Sequence, residues 1–151
     1  MPYAHGPLIF TYGRKSEMMG FVAKNLSAAT MYPGENVMAS IQSGGCTWIC
    51  AYKTATATIY IRQRVMGIVY PSTILPGETG RIGTFVFTNT VMATGIIVTG
   101  DILKPSITWP GVAVAATNGS PTYKTGFAYA TANKSAGPRS AVEALVVPWR
   151  V

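Results

Sequence analysis

The feature that most constrains this chain is its punctuation. Short runs rich in Val, Ile, Thr, Tyr and Ala are cut off, again and again, by Gly, Pro and Asn. β-branched and aromatic residues fit a pleated surface, and frequent turn residues leave no room for long helices. The runs predict strands over 8–12, 36–42, 46–52, 55–62, 66–70, 82–88, 96–98, 112–116, 125–130 and 141–147. In 54–62 apolar residues fill the odd positions and polar or amphipathic ones the even, the mark of a strand with one buried face. Pro71, Pro76-Gly77, Pro105, Pro110-Gly111 and Gly137-Pro138 read as turns. The expected fold class is all-β, a small β-sandwich or barrel. Only 16–29 has helical character, one or two turns capped by Ser16 and interrupted by Gly20.

The first residues are of another kind. Met1-Pro2-Tyr3-Ala4-His5-Gly6-Pro7 is irregular, and it reads as an extended N-terminal arm. The expected organisation is an arm and lead-in segment over 1–30 followed by a β-domain over 31–151. Met1 to Thr11 lacks a basic start followed by an apolar run, so no secretion signal is expected. No apolar stretch reaches the ~18 residues of a membrane-spanning helix, so no membrane partner is expected either. Synthesis in a cytoplasm follows as the expectation.

Charge narrows the function class. Only 11% of the 151 residues are charged, against about 25% in an average soluble domain. A chain so poor in charge is expected to cover part of its surface with neighbours. The balance is basic, 12 Lys and Arg against 5 Asp and Glu, for a net charge of +7. Excess positive charge suits an acidic partner. Nucleic-acid binders concentrate such charge into a stripe. Here it is scattered, with Arg14-Lys15 and Arg62-Gln63-Arg64 the only small groups, so it reads first as scattered solvated charge and next as a match for an acidic protein surface. The alternative is a nucleic-acid-binding β-barrel using Tyr60, Arg62 and Arg64 as a stacking face.

Residues for chemistry are scarce. Cys46 and Cys50 would lie on one face of a strand about 13 Å apart. A disulfide needs Cα atoms within about 7 Å. The pair therefore reads as core residues flanking Trp48, and with only the distant His5 it makes a poor zinc set. Glu35 and Glu78 follow Pro-Gly pairs and Asp101 follows Gly100, positions where carboxylates cap backbone N–H groups. No catalytic, cofactor or metal site is expected, and the chain reads as a non-enzyme.

A series of turns between Met31 and Val147 carries a resemblance. It begins with Tyr32-Pro33-Gly34-Glu35-Asn36-Val37 and continues through Gln42-Ser43-Gly44-Gly45 and Met66-Gly67-Ile68-Val69. It then runs through Pro76-Gly77-Glu78-Thr79-Gly80, Gly100-Asp101-Ile102-Leu103 and Lys124-Thr125-Gly126-Phe127-Ala128. In this order they resemble the small β-rich capsid cement, or head decoration, proteins of tailed phages. The resemblance implies a structural virion protein on the capsid exterior that stabilises contacts between capsomers. It implies the major capsid protein as partner and a homo-oligomer, with a trimer favoured, and no direct contact with nucleic acid. Other virion roles, as a small coat, tail or fibre component, share such turns. Leu8, Ile9, Phe10, Thr11 and Tyr12, with Arg14 behind them, are the segment nominated to reach the capsid by adding a strand to an exposed sheet edge. Pro33, Gly34, Pro76, Gly77, Glu78, Gly80, Gly100 and Asp101 are nominated as structural turn residues.

Overall fold

The computed structural model describes residues 17–41, 49–53, 65–106, 108–116 and 126–148. These residues form an all-β structure of nine strands: β1 (Glu17–Asn25), β2 (Asn36–Ile41), β3 (Ile49–Lys53), β4 (Val65–Val69), β5 (Thr79–Ala93), β6 (Ile102–Pro105), β7 (Ala113–Ala115), β8 (Ala128–Ala130) and β9 (Ser140–Val146).

The pairing closes two rings. The strand order is β1-β3-β2-β4-β5-β7-β6-β8-β9, with β1–β5 and β5–β9 as additional pairs. One ring is therefore β1-β3-β2-β4-β5 and the other β5-β7-β6-β8-β9. Closure removes the exposed edges that an open sheet would present. The 15-residue β5 serves both rings. Its first half pairs with β1 from Thr79↔Lys24 to Val86↔Glu17, and its second half with β9 from Val86↔Val146 to Ala93↔Ser140. Val86, fully buried, is the residue where the rings meet.

The second ring repeats the first. The first strand of each ring pairs in parallel with the third (β1 with β3, β5 with β7) and antiparallel with the last. The remaining neighbours are antiparallel in both rings. The repeat extends to single hydrogen bonds. An isolated bridge, Met31↔Ile74 in the first ring and Ile97↔Lys134 in the second, sits at the same place in each. Gly34 N–H donates to Val69 O and Val69 N–H to Glu35 O at 2.8 and 2.9 Å; Gly100 to Ala130 O and Ala130 to Asp101 O repeat this at 2.8 Å each.

Four elements differ from the sequence expectation. β5 runs over Thr79–Ala93, where a strand over 82–88 was expected. The 16–29 region holds β1, not a helical turn. From Val22 to Asn25 exposed and buried residues alternate, and β1 is held between β3 and β5; this pairing outweighs local propensity. β6 lies where only a turn at Gly100-Asp101 was expected. The predicted strand 96–98 is the bridge at Ile97 alone. The predicted strands 8–12 and 55–62 lie outside the described residues.

Each ring has an apolar centre. Ala23, Met31, Val37, Val69, Ile74 and Ile82 fill the first. Val91, Ile97, Leu103, Phe127, Val142, Ala144 and Val146 fill the second, joined by Val65 and Ile68 from β4. Those two side chains bind the rings into one body. Asn25, 1% exposed, ends β1. Its Nδ2 donates to Ala29 O and Ile74 O, and its Oδ1 accepts from the N–H and hydroxyl of Ser27. A buried amide satisfied this way fixes the loop leading to Met31.

Candidate interaction surface

Four of the six positive-φ glycines among the described residues sit in turns of one kind: Gly34 (87°), Gly77 (79°), Gly100 (97°) and Gly111 (79°). In each, the residue after the glycine donates its N–H to the carbonyl three residues back: Glu35 to Tyr32, Glu78 to Leu75, Asp101 to Val98 and Val112 to Trp109. Left-handed geometry at the third turn position is what glycine supplies without steric cost. The acids act as expected at two of these turns. Glu35 Oε2 accepts from Tyr32 N–H at 2.9 Å, and Asp101 Oδ2 from Val98 N–H at 2.8 Å.

The first position of every such turn carries a large exposed side chain. Tyr32 and Leu75 are each 47% exposed, Val98 54% and Trp109 60%. Ile96 (65%) and Val22 (46%) are the other large apolar side chains in water among the described residues. A fixed turn thus holds each of these apolar groups outward in water.

The turns differ in what lies beneath them. A Cβ at Gly34 would meet Thr90 O at 1.6 Å, and Gly34 O accepts from Met92 N–H at 3.0 Å. The first-ring turn is therefore pressed against the second half of β5. Asn36 N–H donates to Gly111 O at 2.9 Å, so the 109–112 turn closes over the same place. Glu35 is wholly buried between them, and Arg139 Nη1 reaches its Oε1 at 3.6 Å. Gly100, the second-ring counterpart of Gly34, has nothing within 4 Å of a built Cβ.

The turn residues nominated from sequence therefore fall into distinct settings. Pro33 and Gly34 sit at the junction of the rings. Pro76, Gly77 and Glu78 form an exposed turn at the end of the first ring, and Gly80 packs on Ile74 within β5. Gly100 and Asp101 form the second-ring turn. The capsid-contact candidates Leu8, Ile9, Phe10, Thr11, Tyr12 and Arg14 lie outside the described residues, as does Cys46. Sequence reasoning did not single out Tyr32, Trp109 and Arg139, which the fold brings to one junction. The signal for Tyr32 and Trp109 was an aromatic placed directly before Pro-Gly; Arg139, after Gly137-Pro138, had none.

Among the described residues no three His, Cys, Asp or Glu side chains come together. The remaining acid with a resolved role, Glu143, accepts from the Thr131 hydroxyl at 2.9 Å.

No protein-family model matches the chain, and no curated protein matches it by sequence. A solved structure does. The head fiber gp8.5 N base of bacteriophage phi29 superposes with a TM-score of 0.50 at 18% identity, covering 88% of this chain and 98% of that one. At this identity the likeness is one of fold.

Proposed function

We propose that this chain is a structural protein of a tailed-phage virion, a cement-type decoration protein seated on the outside of the head. The observation that carries the reading is the likeness, over nearly all of both chains, to a head fiber base. The low charge and the exposed apolar turn residues support it, since they suit a protein whose surface is shared with neighbours. Its partner in this reading is the major capsid protein. Many modest contacts repeated on a lattice give avidity without one strong site. The nominated arm adds to the binding. Full-length protein is expected to co-sediment saturably with heads of the encoding phage that lack it. Deletion of Met1 to Tyr12 is expected to abolish this while leaving the β-sheet circular dichroism intact. Full retention of binding would remove the arm from the account.

The reading includes a homo-oligomer, with the trimer as favoured state. Ile96 and Val98 support it. They lie just before and at the first position of the second ring's counterpart of a turn that the first ring buries. In a soluble monomer this apolar pair would remain in water. Ile96→Asp is expected to shift the particle mass, measured by light scattering, to that of a monomer. An unchanged mass would place the self-contact elsewhere.

A further inference from the structure

We infer that the junction between the two rings, marked by Tyr32, Trp109 and Arg139, is the docking site for an acidic protein surface; this rests on the reading above and assigns the surface that meets the capsid. Three observations carry it. First, the composition is that of an interface centre. Trp, Tyr and Arg are the residues on which binding energy concentrates, and here Trp109 is the most exposed aromatic among the described residues, at 60%. Second, the three segments that carry them are anchored. Gly111, two residues beyond Trp109, lies against the Glu35 side chain, where a Cβ would come within 3.1 Å. Tyr32 donates its backbone N–H to the same carboxylate, and Arg139 pairs with it. One buried group thus positions all three segments, which lowers the ordering cost of binding. Third, the charge fits an acidic partner. Glu35 is 0% exposed while the Arg139 side chain is 48% exposed. A docking surface therefore meets the guanidinium and not the carboxylate, on a chain of net charge +7. A planar guanidinium offers a carboxylate two parallel hydrogen bonds.

The test uses full-length protein and purified heads of the encoding phage that lack it, with binding titrated at two salt concentrations. Trp109→Ala is expected to weaken binding about thirtyfold with its melting temperature unchanged, because the side chain is largely in water. Arg139→Gln is expected to weaken binding and flatten its salt dependence. If Arg139→Gln does not fold, Tyr32→Ser takes its place and is expected to weaken binding. Wild-type binding matched by Trp109→Ala overturns the site and leaves the head-protein reading standing. No wild-type binding overturns both. Loss of self-association in Trp109→Ala identifies a second copy as the occupant and overturns the proposal. A Trp109-dependent shift of a labelled single-stranded oligonucleotide overturns it in favour of base stacking.

Discussion

Gly34→Ala is expected to destabilise the protein by about 4 kcal/mol or more, at the far end of single-substitution effects. Two causes add. The φ of 87° puts any side chain in a left-handed conformation, at a cost of roughly 1–2 kcal/mol. The new Cβ would also fall 1.6 Å from Thr90 O and 2.7 Å from Thr90 C. Those are backbone atoms of the strand both rings share, so no rotamer change relieves the overlap. Relief means moving the rings apart, which breaks the Met92 N–H to Gly34 O bond. Melting followed by circular dichroism should fall by on the order of 10 °C or more. Gly77→Ala is the control. Its φ is 79° and nothing lies within 4 Å of the built Cβ, so only the conformational cost of roughly 1–2 kcal/mol applies. Equal losses for the two variants would mean that the ring junction is not packed as described.

Glu35→Ala is expected to cost about 3 kcal/mol in urea unfolding. The partly buried N–H of Tyr32 loses its acceptor, a penalty of roughly 1–3 kcal/mol. A void opens beside Gly111 in a wholly buried position. The lost attraction to Arg139 adds little, because that side chain is half in water and screened. Asp101→Ala removes the same turn bond in the second ring, where the turn faces solvent, and should cost only about 1 kcal/mol. The difference between the two measures what burial at the junction adds to one repeated motif. Equal costs would contradict that role.

The contrast between these paired turns also explains what the sequence could and could not disclose. β2, β4 and β9 were legible because their apolar runs end at clear breakers, and β5 was legible only over 82–88 of its 15 residues. β1 was not, because Glu17, Met18, Met19, Ala23 and Lys24 favour helix locally and only pairing with β3 and β5 makes them a strand. β6 was hidden because its four residues follow the Gly100-Asp101 turn and end on Pro105, a proline that read as a turn. The turns at Gly34, Gly77 and Gly100 were legible one by one. Their equivalence was not, since two of them belong to one ring and they are unevenly spaced along the chain. Met31-Tyr32-Pro33-Gly34-Glu35 and Ile97-Val98-Thr99-Gly100-Asp101 share an apolar residue, an exposed apolar residue, a glycine and an acid. Only the matching bridges and hydrogen bonds reveal them as copies. The proposed interaction surface was harder still, because the segments of Tyr32, Trp109 and Arg139 are distant in sequence and meet through Glu35 and Gly111.

The most direct test of the head-protein reading is a side-chain-resolution reconstruction of heads from the encoding phage carrying this protein. The account predicts density for the two-ring body at symmetry-related positions on the outer shell, with the Trp109 side of the junction against the capsid protein. Density confined to the tail or the shell interior, or heads with none, would contradict it.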